Sequence, residues 1–125
     1  MPQDPIVHFQ RVSLVYPNFV RALEDVELEV EPGEFIFFVG PTGCGKSTLL
    51  SCVYLAERLT MGRLRVLGKD ITELPISKVP FLRRKLGVVF QDYQLLEFKT
   101  VSQNVAYALQ VIGAPVEDVR RKVPL

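Results

Sequence analysis

Histidine and cysteine are scarce in this 125-residue chain: there is one histidine, His8, and two cysteines, Cys44 and Cys52. The cysteines fit neither a CxxC metal or redox spacing nor a disulfide framework, so both are expected as reduced, unpaired thiols. His8, alone on a first strand, reads as a structural residue. Excess charge is missing as well. Fifteen basic and 14 acidic residues leave a net charge of +1, too little to draw in nucleic acid or an anionic membrane by field alone. No nucleic-acid partner is expected. No apolar run approaches the ~18–20 residues of a membrane span, and Met1-Pro2-Gln3-Asp4 has neither the basic flank nor the apolar core of a secretory signal. A cytoplasmic location is therefore expected. Internal repeats, low-complexity tracts and an obvious interdomain linker are absent too.

What is present describes a folded chain. A hydrophobic fraction of 48% with 23% charged residues lies far from the composition of disordered segments. One domain of this length buries roughly two-thirds of the surface of its extended chain. Ile6 to Tyr16 mixes apolar and polar positions like a strand with one exposed face, and Pro17-Asn18 marks a turn. Val26 to Val30 alternates strictly, as an antiparallel strand with acids on its outer face does. Glu31-Pro32-Gly33-Glu34 is a turn, and Phe35 to Val39 is apolar throughout, as a central parallel strand is. Ser47 to Leu59 predicts a helix with Leu49, Leu50, Val53 and Ala56 on one side. Gly62 to Asp70 reads as a strand and turn, and Gly87 to Phe90 as a second buried strand. Val101, Val105, Ala108, Leu109 and Ile112 form a helical stripe stopped by Gly113 and Pro115; Val116, Val119 and Val123 begin a helix that runs to the end.

Between the apolar run and the first helix lies Gly40-Pro41-Thr42-Gly43-Cys44-Gly45-Lys46-Ser47-Thr48, which fits G-x-x-x-x-G-K-[ST] in the strand-to-helix context that the chemistry requires. At average composition the bare pattern arises by chance in a chain this long on the order of once in a few hundred. Glycines let the backbone curl until successive N–H groups point inward, and the helix N-terminus adds partial positive charge, so the loop holds phosphate oxygens. Lys46 then reaches the β- and γ-phosphates, and the Ser47 hydroxyl is placed for Mg²⁺, which prefers oxygen ligands. Cys44 reads as a small space-filler, the alternative being a thiol whose pKa the helix N-terminus lowers. The loop predicts a nucleoside triphosphate, Mg-ATP above all, but reads only phosphates and does not choose among kinases, GTPases, motors and transport ATPases. A small-molecule kinase or GTPase stays open, although no guanine-reading Asn/Thr-Lys-x-Asp occurs. A non-catalytic interaction module stays open too.

Val12-Ser13-Leu14-Val15-Tyr16, then Pro32-Gly33-Glu34, the phosphate loop and Gly87-Val88-Val89-Phe90-Gln91 together resemble the ATP-binding cassette (ABC) family over nearly the whole chain. Within that family, Val79 to Gly87, Phe90 to Leu96, Asn104-Val105-Ala106 and Val119 to Val123 are similar to the bacterial cell-division, FtsE-type branch; lipoprotein-release and macrolide-export branches share much of this wording. The resemblance implies an α/β fold: a P-loop NTPase (RecA-like) core with an N-terminal antiparallel β subdomain over 1–91, and a truncated α-helical subdomain beginning in 92–125. It implies that Tyr16 stacks on adenine, whereas base rates also allow a strand-end tyrosine capping the core. It implies that Gln91 contacts Mg²⁺ and the attacking water and, with Lys46, serves catalysis. It further implies a homodimer and an integral membrane partner of the FtsX type, holding the subunit peripherally on the inner face of the plasma membrane. Arg83-Arg84-Lys85 reads as a phosphate or lipid contact or as a solvated helix face, and Tyr93 to Phe98 as a partner groove or packing between subdomains.

After Gln91 the chain has no Leu-Ser-Gly-Gly-type signature, no apolar strand ending in Asp-Glu and no later histidine. The expectation is a cassette cut within its helical subdomain, binding nucleotide weakly and turning over little on its own, with exposed strand edges and apolar helix faces.

Overall fold

Strands β1 (Val7–Val15) and β2 (Arg21–Val30) form a hairpin closed by a tight turn, in which Tyr16 N–H donates to Val20 O and Phe19 N–H to Tyr16 O, both at 2.9 Å. The structure, a computed structural model, describes residues 4–41, 43, 45–90 and 96–123. It divides into two compact units, Met1–Gly87 and Val88–Leu125. In the first, β1 and β2 join β3 (Met61–Val66) and β4 (Lys69–Asp70) in one antiparallel sheet of order β2-β1-β3-β4. The β3–β4 turn carries positive φ at both Leu67 (53°) and Gly68 (78°), the twist that suits a two-residue hairpin.

The mixed pattern of β1 has a physical cause. Phe9, Val12 and Leu14 are all buried, although 9 and 12 have opposite parity. Arg11 (φ 50°) and, opposite, Asp25 (φ 45°) sit at breaks in the β1–β2 register, and each bulge moves its strand by one position so that the apolar set returns to the core face. Gly62 (φ 96°) accepts the bulge from the third strand; a Cβ there would lie 2.3 Å from Arg11 O.

Helix α1 (Lys46–Val53) buries Leu49 and Cys52 against this sheet with Leu64, Val66 and Ile71. It is shorter than expected. The chain leaves the helix at Tyr54, and Leu55 adopts a left-handed φ of 60° while its side chain is buried. Arg83, on the short helix α2 (Val79–Arg83), donates Nε–H to Tyr54 O at 2.9 Å and Nη2–H to Leu55 O at 3.4 Å, satisfying carbonyls at the α1 terminus with a cation. The face also differs: Leu50 is half exposed, and Cys52 is buried in its place.

Two expected strands are not formed. Phe35–Val39 and Gly87–Phe90 carry no strand pairing. Phe35, Phe37 and Val39 are 82%, 77% and 91% exposed, with Ile36 and Phe38 only half-buried, and Val89 is exposed as well. A central parallel strand needs a hydrogen-bonded neighbour at each edge and a layer on each face; among the described residues nothing supplies these. Phe35 and Phe37 instead meet each other edge to face at 5.0 Å.

In the second unit, α3 (Val101–Val111) opens with a reciprocal capping box: Gln103 N–H donates to Thr100 Oγ1 at 3.1 Å and Thr100 N–H to Gln103 Oε1 at 2.9 Å. Asn104 gathers the preceding loop, accepting Leu96 N–H at 2.7 Å and donating to the carbonyls of Leu96, Lys99 and Thr100. The helix stops at Gly113 and Pro115. Helix α4 (Val116–Lys122) has Glu117 and Asp118 in its first turn and three cations in its last, matching its dipole, and ends at Lys122 instead of running on. The expected apolar stripe stays largely uncovered: Val101, Val105 and Ile112 are exposed, and Ala106 alone on α3 is buried.

Candidate nucleotide-phosphate site

The loop before α1 is shaped by glycines. Gly43 (φ 85°) has open space where a Cβ would stand, so its requirement is conformational. Gly45 (φ 97°) is also required sterically, because a Cβ there would lie 2.6 Å from Ala22 O and 3.2 Å from Leu23 Cδ2. The start of β2 thus forms the wall against which the loop turns.

Gly45 is the N-cap of α1, makes no side-chain cap bond, and is followed by no acid in the first turn. At this end of the helix Leu49 N–H bonds Gly45 O at 2.9 Å. A helix start with no side-chain cap and no carboxylate in its first turn is suited to an anion. The Lys46 ammonium folds back and donates to Gly40 O across the loop, part-buried. Ser47 is exposed at the second helical position. Thr48 Oγ1 lies 3.3 Å from Tyr16 Oη, in a part-buried contact that either hydroxyl can donate.

The structure therefore brings Tyr16, Gly40, Pro41, Gly43, Gly45, Lys46, Ser47 and Thr48 into one region of the first unit. Tyr16 also packs partly against the core, as a strand-end tyrosine does. Thr42, Cys44 and Gln91 lie outside the described residues, as does Tyr93 to Leu95 of the apolar loop. The Tyr16–Thr48 contact had no one-dimensional signal, since the two are 32 residues apart. Among the described residues no cluster of three or more His, Cys, Asp or Glu is placed to hold a metal.

Other singled-out residues have structural partners. His8 Nε2 lies 3.3 Å from Glu29 Oε1, its cross-strand neighbour. Of the three basic residues before Leu86, Arg83 binds the end of α1 and Arg84 lies over the Phe81 ring, 5.0 Å from its centroid. The free Cys52 thiol is buried, and desolvation, followed by the charge of Glu57, pushes its pKa from 9.0 to about 11. It is a neutral core group. No helix among the described residues is long and apolar enough to cross a membrane.

The profile of the ABC transporter family matches residues 23–125. The cell division ATP-binding protein FtsE of Bacillus subtilis (strain 168) is 42% identical over 118 residues, covering 94% of this chain and 52% of that protein. The protein of the same name from Escherichia coli (strain K12) is 43% identical over 118 residues, covering 94% and 53%. The chain spans about half the length of the curated relatives it matches. A dimeric post-hydrolysis structure of the ATP-binding cassette MJ0796, bound to ADP and Pi, superposes with a TM-score of 0.84 at 28% identity, over 94% of this chain and 53% of that one. With a family profile spanning most of its length and a backbone that follows a solved cassette, the chain belongs to the ABC transporter family.

Proposed function

We propose that this chain binds Mg-ATP as the N-terminal part of an ABC-type ATPase domain, with the β subdomain and phosphate-loop core over 1–91 and a helical subdomain starting at 92. The observation that carries the reading is the uncapped start of α1 behind Gly43 and Gly45, with the Lys46 ammonium already turned over the loop mouth. In this reading the backbone of Gly40 to Thr48 cradles the phosphates, and Lys46 exchanges the Gly40 carbonyl for β- and γ-phosphate oxygens. Ser47 and Gln91 would hold Mg²⁺, which supplies charge neutralisation at those phosphates. Tyr16 offers its ring to adenine. Gln91, with Lys46, serves the hydrolytic step of the whole protein.

Likeness to FtsE proteins supports a role in bacterial cell division. There the whole protein forms a homodimer that works on an integral membrane partner of the FtsX type, from the cytoplasmic face of the plasma membrane. Residues 1–125 alone hydrolyse little, because no signature sequence, catalytic carboxylate pair or later histidine follows Gln91 within them. The test is calorimetric titration of residues 1–125 with ATP and GTP, with and without Mg²⁺, beside Lys46→Ala. Expected are Mg²⁺-dependent binding that favours ATP and a loss of at least about tenfold in affinity in a variant with unchanged circular dichroism. Equal ATP binding by Lys46→Ala, or preference for GTP, refutes the reading.

A further inference from the structure

From Lys78 through α2 to Lys85 the chain runs in helical turns, with Arg84 N–H on Pro80 O at 3.1 Å and Lys85 N–H on Leu82 O at 3.0 Å. Lys78, Phe81, Leu82 and Lys85 therefore fall at i, i+3, i+4 and i+7, on one side of that segment. Between this side and the β3–β4 hairpin lies a cleft of about 540 Å³. Its floor is apolar, made by Val66, Leu74 and Leu82, and Lys69, Lys78 and Lys85 add three cations to its lining. No carboxylate among the described residues lines it. Among those residues, too, none of the three lysines has an ion pair or a side-chain hydrogen bond. Strand alternation keeps the neighbouring acid away: Asp70, next to Lys69 on β4, lines a separate pocket with Glu73 and accepts the Thr72 N–H at 3.0 Å.

Two residues that line the cleft are large, apolar and open to water. Leu67 is 46% and Phe81 57% exposed. Leu67 sits in the β3–β4 turn with its N–H bonded to Ile6 O at 2.7 Å, and the Arg84 guanidinium, 5.0 Å from the Phe81 ring centroid, adds a fourth cation beside the cleft. From this we infer that the cleft and its rim dock on an anionic lipid surface. Acidic headgroups enter among Lys69, Lys78 and Lys85, while Leu67 and Phe81 reach the apolar boundary beneath the headgroups. A free anion neutralises the lysines but leaves Leu67 and Phe81 in water. A peptide added to the sheet edge finds only the two residues of β4 to pair with. A bilayer surface supplies both chemistries at once. Because the whole chain carries a net charge of only +1, the attraction is local to this face. The surface shares no residue with Gly40 to Thr48 and does not depend on the nucleotide reading.

The test is sedimentation of residues 1–125 with vesicles of phosphatidylcholine alone and with vesicles containing about one-third phosphatidylglycerol, at low and high salt. Binding is expected to the acidic vesicles only, and to weaken as salt rises. The triple variant Lys69→Gln/Lys78→Gln/Lys85→Gln should lower the partition coefficient at least about tenfold. Arg120→Gln/Arg121→Gln/Lys122→Gln removes the same charge from α4 and should stay within about twofold. Leu67→Asn, a residue that tolerates the left-handed φ of 53° at that position, should lose about threefold. Absence of vesicle binding, equal binding to both vesicle types, equal losses in the two triple variants, or undiminished binding by either the lysine triple variant or Leu67→Asn overturns the inference. Saturable binding of dodecyl phosphate, a soluble single-chain anion, without binding of vesicles assigns the cleft to a small amphiphile and overturns it as well. Should the lysine triple variant lose its fold by circular dichroism, Leu67→Asn and the contrast between the two vesicle types decide.

Discussion

The two units of this chain are stabilised in different ways. In the first, four strands and α1 enclose a continuous core in which Phe9, Val12, Leu64, Val66, Cys52 and Ile71 are almost wholly buried. In the second, Ala106 and Val123 are the only buried hydrophobic residues among those described, and order comes from polar detail: a capping box, the four hydrogen bonds of Asn104 and charges placed to suit the dipole of α4. Burial scales with side-chain area, whereas each exposed hydrogen bond contributes little net. Sequence periodicity alone does not separate these cases, because α3 carries as regular an apolar stripe as any segment of the first unit.

Three experiments press on that contrast. Phe9→Ala empties the centre of the first core and should cost about 3–5 kcal/mol, read as a lowered urea midpoint for the sheet. A loss below about 1 kcal/mol would mean that the core is less continuous than described. The second concerns Cys52. Its thiol pKa is raised on folding, so the neutral form stabilises the fold fully below about pH 9, and that contribution is lost as pH rises toward 11. A stability loss on the order of 2 kcal/mol over that interval is expected relative to Cys52→Ala, with urea midpoints measured from pH 8 to 11. Parallel curves for the two proteins would count against a buried, neutral thiol. The smallest effect belongs to the second unit. Asn104→Ala should cost about 1 kcal/mol, seen as faster amide exchange across 96–104, with β1 and β3 unchanged. Exchange unaltered in that segment would show that the hydrogen bonds of Asn104 do not hold the loop.

Much of this was legible in one dimension. Strict alternation found the buried face of β2, turn residues found the end of β3 and the turn after it, and the glycine-lysine-serine spacing found the loop and its helix. A TM-score of 0.84 to a solved cassette shows that the path of the chain follows the fold class implied by the family resemblance. What escaped depended on distant partners. The bulges at Arg11 and Asp25 need positive φ at residues that seldom adopt it, held in place by a third strand with glycine at position 62. The early end of α1 depends on Arg83, 28 to 29 residues away. Phe35 to Val39 reads as a segment made to be covered on both sides; periodicity reports that capacity and does not report what, if anything, does the covering.

The contact between Lys46 and the Gly40 carbonyl carries one more consequence. The Lys46 ammonium is held by the backbone of its own loop, so an anion bound there would take the place of that carbonyl. A neutral carbonyl holds an ammonium less strongly than an ionised oxygen does. An anionic oxygen would thus gain at Lys46 on the exchange, and a ligand that also reached the start of α1 would gain at both places at once.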